Sequence, residues 1–221
     1  MITMNTKVRA FLTGATMVVS TAVFAQQQQT SNETHVRPKV GIKGGFDLTT
    51  LYSNDVGTTN VKPGFDAGIY TKLPVDKGFS FQVELLYSLK GAKYTYNNFV
   101  QGHGEYRYNL GYIQVPVLAV VNLTPWFNLH LGGYAAYLTN ANVKDVRADG
   151  TIVVATDLNT GDFMPWDFGL VGGLGFDIQN FTLGARYNYG LSHIGRPGQL
   201  SGYLTENAKN AGASVYIGFG F

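Results

Sequence analysis

Four histidines, His35, His103, His130 and His193, are the side chains of this 221-residue sequence best suited to proton transfer or metal binding, and no pair of them has metal-ligand spacing. Cysteine is absent, which removes disulfides and Cys-ligated metals. Gly102-His103-Gly104-Glu105 sets an imidazole near a carboxylate, and Ser192-His193 sets one beside a hydroxyl. A catalytic serine needs a base that a third group orients, and nothing in the sequence supplies that third group. Asp145, Asp149, Asp157 and Asp162 hold oxygens of the kind Ca²⁺ takes, but they read first as a solvated loop. Gly172-Gly173-Leu174-Gly175 lacks the following helix that a nucleotide-binding glycine loop requires. The expectation is therefore no catalytic residue, no metal, no cofactor and no enzymatic activity, with His130 a hydrogen-bonded interior residue.

The charges are better organised than the nucleophiles. Lys43, Asp47, Asp66, Lys72, Glu84, Lys90, Asp167, Asp177 and Arg186 fall on one phase of alternating segments, together with Gly41, Gly45, Gly68, Gly169, Gly173, Gly175, Gly184 and Gly218. Both signs are present in near balance, and a shared enclosed space demands that, because an unpaired buried charge is costly. Lys43, Asp66, Lys72, Glu84, Asp167 and Arg186 are expected to form a charge network with a structural role. The opposite phase is almost wholly apolar, as in Phe79, Phe81, Val83, Leu85, Tyr87, Leu89 and Phe181, Leu183, Ala185, Tyr187, Tyr189, Leu191.

The elements that must position these charges have a period of two from residue 40 onward, and no convincing helical window interrupts them. Strands are expected at Val40–Thr49, Gly64–Leu73, Phe79–Lys90, Tyr106–Val121, Phe127–Leu138, Trp166–Ile178, Phe181–Leu191 and Ala211–Phe221. Short connections, such as Gln179–Asn180, alternate with long polar ones, such as Thr139–Pro165. An even number of antiparallel strands with tight turns at one end and long loops at the other describes an outer-membrane barrel. The fold class is all-β: an eight-stranded antiparallel transmembrane β-barrel with short periplasmic turns and long extracellular loops. Glycine weakens strands facing solvent, but it suits the narrow interior of eight strands. Aromatic residues mark two interfaces. Phe79, Phe127, Phe181 and Phe219 stand at short-turn ends, and Tyr87, Tyr137, Tyr187, Tyr189 and Trp166 at long-loop ends. Near Tyr112 the apolar phase changes, which predicts a bulge.

Composition agrees. Only 14% of residues are charged, against Gly 28, Tyr 14 and Phe 14, and a typical globular protein carries about 25% charge. Lys7 and Arg9, then an apolar run to Val23-Phe24-Ala25, read as a secretory signal peptide over residues 1–25. Its removal takes the 16 basic residues to 14, equal to the 14 acidic ones, so the net charge of +2 belongs to the leader. No basic surface then argues for nucleic acid. Residues 26–39 read as a flexible periplasmic segment and 40–221 as the barrel domain.

Gly41-Ile42-Lys43-Gly44-Gly45-Phe46-Asp47-Leu48, the Phe79–Gly91 run, Tyr112-Ile113-Gln114-Val115-Pro116-Val117-Leu118, Phe168–Gly175 and Ala185-Arg186-Tyr187-Asn188-Tyr189-Gly190-Leu191 resemble the PorT-like outer-membrane β-barrel domain family common in Bacteroidetes. The resemblance spans the whole expected barrel. It departs at Val83, where the family often has proline, and at Val120 and Val121, where it often has a basic residue. It implies an integral protein of the bacterial outer membrane and raises a role in protein secretion. Val215, Ile217, Phe219 and Phe221 alternate up to a terminal aromatic and resemble the signal that the barrel assembly machinery reads. The expected partners are outer-membrane lipids and that machinery, with both chain termini in the periplasm. The leading functional expectation is a plugged barrel acting through its loops in interaction, adhesion or envelope structure. Transport or protein export, and a soluble periplasmic barrel that binds a lipophile, stand as alternatives.

Overall fold

The computed structural model describes residues 38–52, 60–98, 102–147, 152–157, 160, 163–195 and 208–221. The expected signal peptide, residues 1–25, and most of the segment 26–39 lie outside the described residues. Among the described residues nine strands follow in order: β1 (Lys39–Tyr52), β2 (Lys62–Pro74), β3 (Phe79–Asn98), β4 (Gly102–Asn122), β5 (Phe127–Arg147), β6 (Ile152–Asp157), β7 (Trp166–Ile178), β8 (Phe181–Gly190) and β9 (Lys209–Gly220). Neighbours pair antiparallel in the order β4-β3-β2-β1-β9-β8-β7-β5, and a β4–β5 pairing joins the two ends. The result is a closed barrel of eight strands, which leaves none of the eight as an open edge. Strand β6 lies outside this circuit and, among the described residues, pairs only with Asn142–Val146 of β5.

The sequence builds these strands by alternation, with β-branched and aromatic residues on one face and small or polar residues on the other. Tight turns then fix the register. Val75 and Asp76 both donate backbone N–H bonds to the Phe79 carbonyl, and Gly78 donates to Asp76 Oδ1 at 2.6 Å. Phe127 N–H donates to Thr124 Oγ1 at 2.9 Å. The two-residue turn after β7 places Gln179 at φ 56°, the left-handed conformation that short hairpins favour. Strands β1 and β9 close the chain ends together, and Phe221 N–H donates to the Val40 carbonyl at 2.9 Å.

Several boundaries differ from the sequence expectation. Strands β3, β4 and β5 run well past Lys90, Tyr106 and Leu138, and β6 lies within a segment expected to be a loop. Polar residues pair across strands there, as Asn142 in the β5 extension does by accepting at Oδ1 from Asn109 Nδ2 at 2.8 Å. A lipid-facing apolar phase is needed only where lipid is present, so alternation fades while the backbone ladder continues. The bulge expected near Tyr112 corresponds to a register shift between Gly111 and Tyr112 on β4.

Candidate functional site

Eight strands leave space for little beyond a column of side chains, and the inward phase fills that column in three tiers. In the middle tier Arg186 of β8 donates Nη1 to Glu84 Oε2 and Nη2 to Glu84 Oε1, both at 2.7 Å. Glu84 lies on β3, four strands from β8 around the circuit, so this two-point ion pair spans the barrel. Lys43 of β1 donates to the same Oε2 at 3.1 Å, and Gln82 donates to Oε1 at 2.6 Å. The aromatic ring of Tyr216 lies under both cations, 3.9 Å from Lys43 Nζ and 4.5 Å from Arg186 Cζ.

Nearer the short turns, Lys72 of β2 donates to Asp177 Oδ2 of β7 at 3.0 Å, again across the circuit. Thr182 and Asn128 also donate to Asp177, at 2.6 and 2.8 Å. His130 joins the two tiers. Its Nε2 is 2.6 Å from Asn128 Oδ1 and its Nδ1 is 3.1 Å from Arg186 Nη2. Nearer the long hairpins, Lys90 donates to Asp167 Oδ2 at 3.3 Å. Tyr134 and Asn210 donate to the same oxygen at 3.2 and 2.9 Å.

Of the six charges expected to share a network, Lys43, Glu84 and Arg186 meet directly. Lys72 and Asp167 pair instead with Asp177 and Lys90. Asp66 makes no ion pair among the described residues, because its carboxyl turns toward that of Asp47. Register decides the grouping: Tyr70 lies opposite Glu84, which places Asp66 beside Ser88 and Gly45, a level nearer the long hairpins.

Glycine on this phase has a specific task. Gly41 pairs directly with Tyr70, Gly169 with Tyr134, and Gly184 with Tyr216. A Cβ on Gly41 would lie 2.6 Å from the Tyr70 ring, and one on Gly169 would lie 2.5 Å from the Tyr134 ring. Each of these three interior tyrosines thus lies over a residue that has no side chain. Sequence phase alone missed these tyrosines, although a Gly–Tyr pair on facing strands is a usable signal.

At the long-hairpin end the interior becomes apolar. Phe163 and Ile194 are buried in one cluster with Leu51, Leu110, Ala92 and Ala208. Met164 N–H donates to the Ile194 carbonyl at 2.8 Å, and Ile194 N–H to Ala208 at 3.0 Å. Phe163 and Ile194 lie in segments expected to be solvated loops, and their burial was not legible there.

The weaker chemical candidates separate. Ser192 Oγ accepts from the Phe168 backbone N–H at 2.9 Å and so serves the backbone, while His193 is exposed. No group of three metal-ligating side chains occurs among the described residues. His35, the side chains of His103 and Glu105, and the acidic side chains Asp145, Asp149, Asp157 and Asp162 lie outside the described residues.

The outward phase is an apolar belt, with Ile42, Phe46, Phe65, Leu131, Leu170, Leu183 and Ile217 all exposed. At its short-turn edge Phe181 packs on Phe219 with ring centroids 5.0 Å apart, and Phe79 and Phe127 each contact aromatic neighbours. At the opposite edge lie Tyr87, Tyr187 and Tyr189, with Tyr52 stacked on Tyr189 at 5.2 Å. Tyr137 meets Trp166 edge-to-face at 5.1 Å and is buried, unlike the other tyrosines of this edge.

The model of the "Outer membrane protein beta-barrel domain" family matches residues 24–196. The chain belongs to that family. This outer-membrane barrel is also similar to solved structures. It shows 13% identity and a TM-score of 0.47 to Ail, the attachment invasion locus protein of Yersinia pestis, over 83% of this chain and 99% of that one. For Neisserial surface protein A the figures are 13% and 0.46, over 82% and 97%. For the N-terminal β-barrel domain of Pseudomonas aeruginosa OprF they are 11% and 0.34, over 82% and 97%. Among curated proteins no sequence matches. An outer-membrane barrel accounts for the exposed apolar belt, which the soluble lipophile-binding alternative does not: a soluble monomer rarely exposes such a continuous surface.

Proposed function

We propose that this outer-membrane barrel has a plugged lumen, carries out no catalysis and acts through its outward hairpins as an interaction, adhesion or envelope-structure protein. The observation that carries the reading is the Glu84–Arg186 ion pair, which ties opposite walls together where a pore would have to pass. Two spaces described beside the charged tiers have volumes of about 20 and 10 Å³, each room for about one water. The apolar cluster around Phe163 and Ile194 supports closure at the other end. Long hairpins on one side and tight turns on the other support an orientation with both termini in the periplasm. Purified protein in planar bilayers is expected to carry no steady ion current, and stable channels of reproducible conductance would overturn the plugged reading.

The resemblance to PorT-like barrels supports a second reading, a part in protein export. On that reading the barrel is one component of an export system, and the gene's deletion abolishes a secreted activity while planar bilayers still record no current.

A further inference from the structure

Two buried carboxyls face each other in the long-hairpin half of the barrel, and neither meets a cation. Asp47 of β1 pairs with Gly64 of β2, and Asp66 of β2 pairs with Gly45 of β1. The two aspartates are therefore diagonal neighbours on the inward phase, about 7–8 Å apart at the backbone. The glycines at the other two corners leave that interval to the carboxyls: a Cβ on Gly45 would lie 3.1 Å from both carboxyl oxygens of Asp66. The side chains turn toward each other. Both residues are buried, and Asp47 Oδ2 and Asp66 Oδ1 have no hydrogen-bond partner among the described residues. Two carboxylates that share a site repel and resist ionising together.

Every charged neighbour is committed elsewhere. Lys43 of β1 and Arg186 of β8 both hold Glu84 of β3, and Lys90 of β3 holds Asp167 of β7. On β9 the direct partner of Asp47 is Ser214, and on β3 that of Asp66 is Ser88, both uncharged. The rings of Tyr112 of β4 and Tyr134 of β5 lie against Lys90, and that of Tyr216 of β9 against Lys43. Tyr70 of β2 lies opposite Glu84, and His130 of β5 contacts Arg186. Four carboxyls are thus buried inside the barrel, Asp47, Asp66, Glu84 and Asp167, against three cations, Lys43, Lys90 and Arg186. Lys62 is buried too, but its ammonium donates to the Pro63 carbonyl at 3.5 Å and the residue lines a recess with the lipid-facing Phe65 and Leu89. Lys72 and Asp177 form their own neutral pair nearer the turns. The enclosed groups carry one negative charge in excess.

We propose that Asp47 and Asp66 share one proton inside the folded barrel, as a hydrogen bond from one carboxyl to the other, and that this proton makes the barrel sensitive to rising pH. The shared proton brings the enclosed charge to zero and replaces repulsion by a charge-assisted O–H···O bond, among the strong hydrogen bonds. A proton fits where a metal ion does not. The space beside Asp47 is about 10 Å³ and is lined by Lys90, so a second cation there would meet the ammonium. The pair gains and loses this proton as a unit. In the unfolded chain both aspartates are ionised above their ordinary pKa of ~3.9, so the folded state binds one proton more. Stability therefore falls as pH rises, until the pair itself ionises.

The test combines infrared spectroscopy and urea unfolding of the full barrel in detergent. At about pH 6, where an ordinary aspartate is ionised, the folded wild type is expected to show the C=O stretch of a protonated carboxyl, shifted on exchange into D₂O. Asp47→Asn and Asp66→Asn are each expected to lose that band, because the asparagine amide supplies the donor and the remaining aspartate ionises. Heat-modifiable gel mobility verifies that each variant is folded. Between about pH 5 and 6 the unfolding equilibrium constant of the wild type is expected to rise about tenfold per pH unit relative to that of Asp66→Asn, a comparison that cancels the titration of all other groups. Absence of the band from the folded wild type, its persistence in both variants, or equal pH slopes would overturn the shared proton. Absence of the band together with stabilisation by added Na⁺ or Ca²⁺ would assign the site to a metal ion instead. If neither variant folds, presence or absence of the wild-type band decides.

Discussion

Arg186 and Glu84 face each other across the full width of the barrel and meet through two hydrogen bonds of 2.7 Å, with both side chains almost wholly buried. Such geometry resists more than a single wall contact can, because it couples strands that share no ladder. Removing one partner leaves the other charge buried, a change that costs about 3–5 kcal/mol in comparable pairs. Glu84→Ala strands two cations at once, Arg186 and Lys43, so its loss is expected at the upper end of that range. Urea-induced unfolding in detergent or lipid measures it. An unchanged midpoint would mean that the cations are solvated independently of Glu84.

Gly169 and Gly172, three residues apart on β7, are expected to respond differently to one methyl group. A Cβ at Gly169 would press on the Tyr134 ring and on the Tyr189 backbone, while nothing lies within 4 Å of one at Gly172. Overpacking typically costs about 1–3 kcal/mol. Gly169→Ala should therefore lower the unfolding midpoint, and Gly172→Ala should leave it within about 0.5 kcal/mol of wild type. Matching effects at the two positions would show that the glycines serve the backbone rather than the interior tyrosines.

The two tryptophans report membrane position directly. Trp126 stacks on Phe176 at the short-turn edge, and Trp166 stacks on Phe168 at the other. Aromatic girdles occupy the interfaces, so a bilayer lipid quencher placed near the headgroups should quench both tryptophans more strongly than one placed at the bilayer centre. Single variants Trp126→Phe and Trp166→Phe separate the two signals. Deeper quenching at either position would shift the belt along the barrel.

Much of this architecture was legible because a membrane barrel writes its two surfaces on alternate residues. Strand β7 was placed to the residue, since Trp166 and Ile178 both end a lipid-facing run. The charged phase could be assigned to the interior, but its pairings could not: Glu84 with Arg186 and Lys72 with Asp177 are set by register and closure, and both join strands far apart in sequence. The extensions of β3 to β5 were missed for the opposite reason. Outside lipid, residues such as Asn142 continue a ladder without an apolar phase to announce it. Strand β6 left a trace in the run Ile152-Val153-Val154-Ala155, which has the β-branched content of a strand inside a segment otherwise read as loop.

A role of Phe221 in assembly is separable by experiment from one in folding. The residue is 73% exposed and its ring centroid stands 6.4 Å from that of Phe219, while its backbone N–H donates to the Val40 carbonyl. Deleting it removes one terminal hydrogen bond and an interfacial ring, and the interior tiers stay untouched. Refolding of the purified chain in detergent is therefore expected to proceed nearly as in the wild type. If the terminal aromatic is read by the assembly machinery, the same deletion in cells should reduce the heat-modifiable outer-membrane form and accumulate unfolded chain. Substitution Phe221→Tyr, which keeps an aromatic terminus, should restore the wild-type level. Unchanged membrane assembly of the deletion would reduce Phe221 to a girdle residue, and impaired refolding in detergent would assign its effect to the β1–β9 closure.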